Sequence, residues 1–130
     1  MTRFDLPLQT MAEHNELGKQ GEALALQHLQ KEGYEVLEQN WVHGKEEVDI
    51  IARKGDWLVM VEVKARMTNA FGEPEAFVNR TKQRHLVSAA NAYVEKEGIE
   101  LETRFDIISV LFKGGTHQIN HIEDAFYPTL

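Results

Sequence analysis

The 130-residue chain contains no cysteine. That excludes disulfide bridges and thiolate metal centres, and it makes a reducing cytoplasm the natural setting. No apolar run approaches the roughly 20 residues that span a bilayer, so no membrane partner is expected. The opening residues, MTRFDLPLQTMAEHNE, lack the basic-then-apolar layout of a secretory signal. Positive charge is short as well: 14 Lys and Arg stand against 21 Asp and Glu, a formal net charge of −7. A protein that grips long nucleic acid by charge alone is ordinarily basic, so this balance argues against strong non-specific DNA binding. It leaves room for a local basic patch beside a metal-filled acidic site, where a bound cation offsets part of the negative field. The sequence shows no Gly-rich phosphate-cradling loop, no Ser-His-Asp arrangement, no repeat and no low-complexity linker.

What is present is ordinary for one soluble domain with a single core: 42% hydrophobic and 27% charged residues. Residues 1–10, with Pro7, read as a tail, and residues 11–130 as the domain. A helix is expected from about Met11 to Lys31, with Leu17, Gly21, Leu24, Ala25 and Leu29 on one face and Gly33 as the stop. YEVLEQNWV, residues 34–42, alternates like a strand, and His43-Gly44-Lys45 makes a turn. Two strands follow within residues 46–66. Residues 67–79, with Gly72 and Pro74, read as a loop. Asn79 fits the N-cap and Gly98 the C-cap of a second helix over 80–97, whose apolar stripe is Leu86, Ala89, Ala90, Tyr93 and Val94. TRFDIISVLF, residues 103–112, is a strand, and HQINHIEDAF an edge strand after a Gly114-Gly115 turn. The order is αβββαββ, an α/β or α+β domain with a central mixed sheet flanked by helices.

The stretch EEVDIIARKGDWLVMVEVKAR, residues 46–66, carries the chemistry. Two core-like strands are interrupted at alternate positions by Glu47, Asp49, Glu62 and Lys64. With Gly55-Asp56 at the centre of a type II′ turn, Asp49 falls opposite Glu62 and Glu47 opposite Lys64. Opposed residues, and residues two apart on one strand, share a face. All four charged groups then gather on one face, far from the turn, while Val48, Ile50, Val61 and Val63 take the other.

Crowded carboxylates do not all stay ionised without compensation: one takes a proton or a cation binds. An all-oxygen donor set without cysteine suits Mg²⁺ or Mn²⁺, which keep several waters and accept phosphate oxygens. Lys64 beside such an ion could touch a scissile phosphate or position the attacking water, which is the chemistry of phosphodiester hydrolysis. The competing reading is a solvated sheet face with Glu and Lys in cross-strand pairs.

These positions resemble the PD-(D/E)XK, or restriction-endonuclease-like, superfamily, in which an Asp on one strand and a (D/E)-x-K on the next define the active site. Asp49 and Glu62-Val63-Lys64 match that pattern. Still closer is the small bacterial YraN family, to which the chain is similar in GKQGEALALQHLQKEGYEVLEQNW, EVDIIA, VEVKAR, KQRHLVSAANAYV and RFDIISV. The resemblance implies a restriction-endonuclease-like fold, a metal site at Asp49 and Glu62, and catalytic roles for Asp49, Glu62, Lys64 and the first-helix Glu22; Glu47, on the same strand face, is the candidate assisting ligand. The chain departs from the family in having Glu46 where a Gly is usual, and in lacking an Arg shortly after Asn40.

Glu22 projects from a half-buried edge of its helix, between Leu26 and Leu29. Arg80, Lys82, Arg84 and His85 crowd the start of the second helix, where cations oppose the macrodipole but suit a phosphate backbone. Arg80, Lys82 and Arg84, with Arg66, are the candidate nucleic-acid contacts. Arg104 and Asp106 read as a structural ion pair. His117 and His121 lie in a strand, which does not favour a zinc pair. Trp41, Trp57, Phe71 and Phe77 read as core or loop packing, with Phe71 and Phe77 able to stack a base. Three functions follow: a metal-dependent nuclease acting on DNA, with branched or damaged forms as candidate substrates; a non-catalytic nucleic-acid-binding module; or an interaction protein whose edge strand pairs in a homodimer.

Overall fold

The computed structural model describes residues 6–67 and 78–128, with side chains from residue 15 onward. Its elements are α1 (Leu6–Lys31), β1 (Glu35–His43), β2 (Glu46–Lys54), β3 (Trp57–Arg66), α2 (Arg80–Glu97), β4 (Glu102–Lys113) and β5 (Thr116–Ile122). The five strands form one sheet in the order β1-β2-β3-β4-β5, antiparallel except for the β3–β4 pair. That parallel pair needs a crossover, which α2 supplies. The architecture is α+β, with a mixed five-stranded sheet and two helices. Phe71 and Phe77 lie outside the described residues.

Both faces of the sheet are covered. On one, Ala25 and Leu29 of α1 pack with Tyr34, Ile50, Ala52, Val59, Val61, Ile108 and Val110. On the other, Leu86, Ala89, Ala90 and Tyr93 of α2 pack with Val48, Ile51, Leu58, Met60, Phe105 and Ile107. Burial on two sides explains why β3 reads as an almost continuous apolar run, WLVMV, before its charged end. Each fully buried Leu or Ile here contributes about 1.5–3 kcal/mol.

The β2–β3 hairpin turns at Gly55, whose φ of 58° is a left-handed conformation that glycine adopts without cost. Pairing runs from Lys54–Trp57 to Ile50–Val61, the register expected of a two-residue Gly55-Asp56 loop. Beyond Ile50 and Val61 the strands part: residues 46–48 pair with β1, and residues 62–66 pair with β4. The expected opposition of Glu47 and Lys64 therefore does not form. Val48 also departs from expectation, because it joins the α2 face instead of accompanying Ile50. The change of face falls beside a local kink at Asn40, whose φ of 50° is left-handed, while the β1–β2 register itself slips earlier, between Val36 and Glu38. Trp41 and Val48 form the next pair and face α2, while Gln39 pairs with Ile50 on the other side of the kink.

The helices also differ at one boundary. α1 begins at Leu6, not near Met11, because a proline in the first turn of a helix forfeits no hydrogen bond. α2 spans the expected residues, with the Asn79 side chain accepting from the Lys82 N–H at 2.8 Å and Gly98 as the C-cap. β5 ends at Ile122, earlier than expected, and Asp124 then takes a left-handed φ of 54°.

α1 crosses β3 closely at Gly21. A Cβ there would stand 2.7 Å from the Ala65 Cβ, so only glycine permits this approach. The neighbouring residue, Glu22, is thereby brought to the cleft where β2 and β3 separate.

Candidate functional site

Four elements meet at that cleft. β2 contributes Glu47 and Asp49, β3 contributes Glu62 and Lys64, α1 contributes Glu22, and the first turn of α2 contributes Lys82. Because β2 no longer pairs with β3 here, the Val63 N–H lacks a backbone partner on that side. Asp49 Oδ2 accepts it at 2.8 Å. The Asp49 carboxylate is thus turned inward beside the Glu62 carboxyl, and each acts on the other's ionisation.

Two neighbouring buried carboxyls resist being ionised together. Burial pushes the Glu62 carboxyl up to about 8, the Asp49 charge adds to the rise, and the Lys82 and Lys64 ammoniums oppose it. Burial also raises Asp49, against the Val63 hydrogen bond, the bond to Glu62 and the charge of Lys82. Lys82 Nζ lies 3.7 Å from Glu62 Oε2, and the Glu62 side chain is only 15% exposed. Its other oxygen, Oε1, is buried and has no hydrogen-bond donor among the described residues.

Asn40 organises the remaining acids. With its amide nitrogen toward them, it donates to Glu22 Oε1 at 2.8 Å and to Glu47 Oε1 at 3.2 Å. The opposite orientation would set its carbonyl oxygen against two carboxylates. Burial, then the charges of Asp49 and Glu47, raise the Glu22 carboxyl, and the Asn40 bond offsets part of that rise. A left-handed backbone at Asn40 costs little for asparagine and aims its side chain into the cleft.

The structure therefore brings together Glu22, Glu47, Asp49, Glu62, Lys64 and Lys82. Arg66 closes β3 beyond Lys64. Arg80 and Arg84 lie about half a turn around α2 from Lys82 and line a narrow crevice with Gln83, Val87 and Tyr127. Glu46 is tied to α2 by a 3.1 Å bond from Ser88 Oγ.

The donor set fits a hard divalent cation. It is all oxygen, its three innermost acids are raised by burial, and the unpartnered Glu62 Oε1 is an acceptor that a cation would satisfy. Among the described residues no group of three His, Asp or Glu side chains is arranged to hold a metal ion. Asn40 holds Glu22 and Glu47 as one pair, while Asp49 and Glu62 form another.

A second polar network was visible in the sequence only as the Arg104–Asp106 pair. Arg104 donates to both Asp106 oxygens, at 2.9 and 2.8 Å, and to the Tyr34 hydroxyl at 2.7 Å. Asp106 also accepts from the Asp124 N–H at 3.0 Å and from His121 Nε2 at 2.8 Å. Burial alone would raise the Asp106 carboxyl, but the bonds from His121, Arg104 and Asp124 outweigh it and hold the group below the usual range. An ionised Asp106 fixes the His121 proton on Nε2, so His28 Nε2 donates to His121 Nδ1 across 3.0 Å. This network clamps α1, β4, β5 and the segment after β5 together.

Residues 21–110 match the model of an uncharacterised protein family, UPF0102. The chain belongs to that family. UPF0102 is the YraN-like grouping expected from the motifs. The chain is 52% identical over 117 residues to a UPF0102 protein of Flavobacterium psychrophilum, covering 90% of this chain and 98% of that relative. A UPF0102 protein of Bacteroides thetaiotaomicron is 47% identical over 120 residues, covering 92% and 99%. One of Christiangramia forsetii is 49% identical over 117 residues, covering 90% and 98%. Glu22, Asn40, Asp49, Glu62, Lys64, Lys82 and Asp106 all fall inside the family segment. Among the described residues, no helix is long and apolar enough to cross a membrane.

Proposed function

We propose that this UPF0102 chain is a divalent-metal-dependent phosphodiesterase on a restriction-endonuclease-like scaffold, acting on DNA of branched or damaged form. One observation carries the reading: Asp49 and Glu62 meet where two strands separate, and Glu62 keeps a buried oxygen without a donor. Asp49 and Glu62 would hold Mg²⁺ or Mn²⁺, with Glu22 or Glu47 assisting after release from Asn40. When bound, the ion supplies a water of lowered pKa and positive charge against that developing on phosphorus.

The protein's own groups do the positioning. Lys64, on the face of β3 that carries Glu62, donates to a non-bridging phosphate oxygen and orients the attacking water. Arg66 and Lys82 flank the cleft and contact the neighbouring phosphates. Arg80 and Arg84, on another side of α2, serve a more distant stretch of backbone. In the reaction, the water oxygen bonds to phosphorus, one P–O ester bond breaks, and the departing alkoxide takes up a proton. The assignment of DNA rests partly on fold analogy, to which the geometry adds the acid pair and its lysines.

A non-catalytic nucleic-acid-binding module is the second reading, favoured by the Lys82 ammonium that already sits against the acid pair. A panel of labelled duplex and branched DNA, incubated with Mg²⁺ or Mn²⁺, separates the two. The nuclease reading expects cleavage that disappears in Lys64→Ala and Glu62→Ala while both variants remain folded. Binding without cleavage supports the module, and cleavage that survives both substitutions counts against this site.

A further inference from the structure

Lys82 is the third residue of α2, and its backbone is fixed by the 2.8 Å bond from its N–H to Asn79 Oδ1. Its side chain runs across to Glu62 Oε2 at 3.7 Å, an ion pair too long for a hydrogen bond. Nothing in its own helix explains that position. The first turn of α2 holds no acid, and a cation there opposes the helix dipole. The acids of the cleft are what draw it in.

The ammonium is an incomplete partner. Lys82 and Lys64 both act on the acids, yet among the described residues Glu62 Oε1 remains buried without a donor. The lysine side chain is 37% exposed, so it can swing out without disturbing the core. A divalent ion seated on the same carboxyls would repel it at close range. The place to which it retreats, outside the first turn of α2, already favours anions through the helix N–H groups.

We infer that Lys82 is an exchangeable counter-ion of the Asp49–Glu62 pair: it occupies the carboxyls before a divalent ion arrives, and it is released toward a substrate phosphate when one does. The inference rests on the metal reading above and adds a regulation to it. Ion and ammonium compete for the same oxygens, so the free protein holds its metal weakly. A phosphate that engages Lys82 removes the competitor, and by linkage the ion and the phosphate strengthen each other's binding.

The test is a Mn²⁺ titration near neutral pH without nucleic acid, following the free-ion electron paramagnetic resonance signal. Lys82→Met is expected to bind Mn²⁺ about tenfold more tightly than the wild type, the order expected from removing one nearby and partly screened charge. Lys82→Arg keeps the charge and is expected to stay within about threefold of wild type on the same Coulombic argument. Glu62→Gln is expected to lose binding in either background, which ties the signal to this site. Equal or weaker binding by folded Lys82→Met overturns the counter-ion role while leaving the metal site standing. Absence of Mn²⁺ binding in wild type and Lys82→Met alike overturns the metal reading, and this inference with it.

Discussion

The Asp49 carboxylate accepts the backbone N–H of Val63 at 2.8 Å, so a side chain takes over where the β2–β3 ladder ends. That one bond turns an acid from the strand face into the cleft and sets it against Glu62. It makes structure and candidate chemistry inseparable at this residue.

Replacing Asp49 therefore has two separable effects. Asp49→Ala leaves the Val63 N–H without its acceptor and costs about 1–3 kcal/mol in urea unfolding. Asp49→Asn keeps an oxygen for that bond and removes a charge from beside Glu62, so its stability is expected to equal or exceed that of wild type. Both substitutions are expected to weaken Mn²⁺ binding. A stable Asp49→Ala protein would show that the bond contributes nothing to the fold.

Glu62 predicts a pH dependence whose sign follows from its raised carboxyl. The folded protein keeps a proton up to about 8, whereas the unfolded chain gives it up near the ordinary value of 4.5. The folded state therefore binds more protons within that window, and stability falls as pH rises through it. Glu62→Gln cannot ionise and removes this slope. Its stability relative to wild type is expected to grow between pH 5 and pH 8, by on the order of 1–2 kcal/mol given the coupling to Asp49. A constant difference across the range would mean that Glu62 ionises freely in the folded protein.

The Arg104–Asp106 clamp is expected to dominate stability. The Asp106 side chain is fully buried and the Arg104 side chain 10% exposed. Removing either partner leaves the other buried with its charge only partly compensated, at up to about 3–5 kcal/mol. Asp106→Ala should unfold at markedly lower denaturant than His121→Ala, which removes one of the four hydrogen bonds to Asp106. Because the Asp106 carboxyl is held low, its contribution is complete above the ordinary carboxylate range and fades as acid titrates it.

Two glycines of α1 should respond oppositely to alanine. Gly18 has open space around its missing Cβ, so Gly18→Ala gains helix propensity, about 0.8–1 kcal/mol. Gly21→Ala gains the same propensity but drives a methyl into Ala65, and overpacking of about 1–3 kcal/mol reverses the sign. The shifted helix also carries Glu22 away from Asn40. Thermal melts of the two variants check the prediction, and a stabilised Gly21→Ala would show that α1 has room to rise.

Local signals carried much of this molecule. Asn79 and Gly98 mark the ends of α2, and Gly55-Asp56 fixes the hairpin register that puts Asp49 and Glu62 on adjoining strands. Those features depend on neighbours a few residues apart. The parting of β2 from β3 beyond Ile50 and Val61 does not: it lies beside the left-handed Asn40 of β1 and the close crossing of Gly21 over Ala65, which are remote in sequence. The expected Glu47–Lys64 opposition and the side taken by Val48 failed for that reason. Asn40 stood in the motif without a role, because its donation to Glu22 and Glu47 joins three separate elements. His28, Tyr34 and His121 were likewise unreadable as members of the network around Arg104 and Asp106, since α1, β4 and β5 meet only in the folded sheet.

A crystal grown or soaked with Mn²⁺, examined for anomalous density, tests the acid pair most directly. The account predicts a peak about 2.0–2.2 Å from oxygens of both Asp49 and Glu62, with the Lys82 ammonium displaced from Glu62. A cleft without a peak at saturating Mn²⁺, with Lys82 still against Glu62, would contradict it.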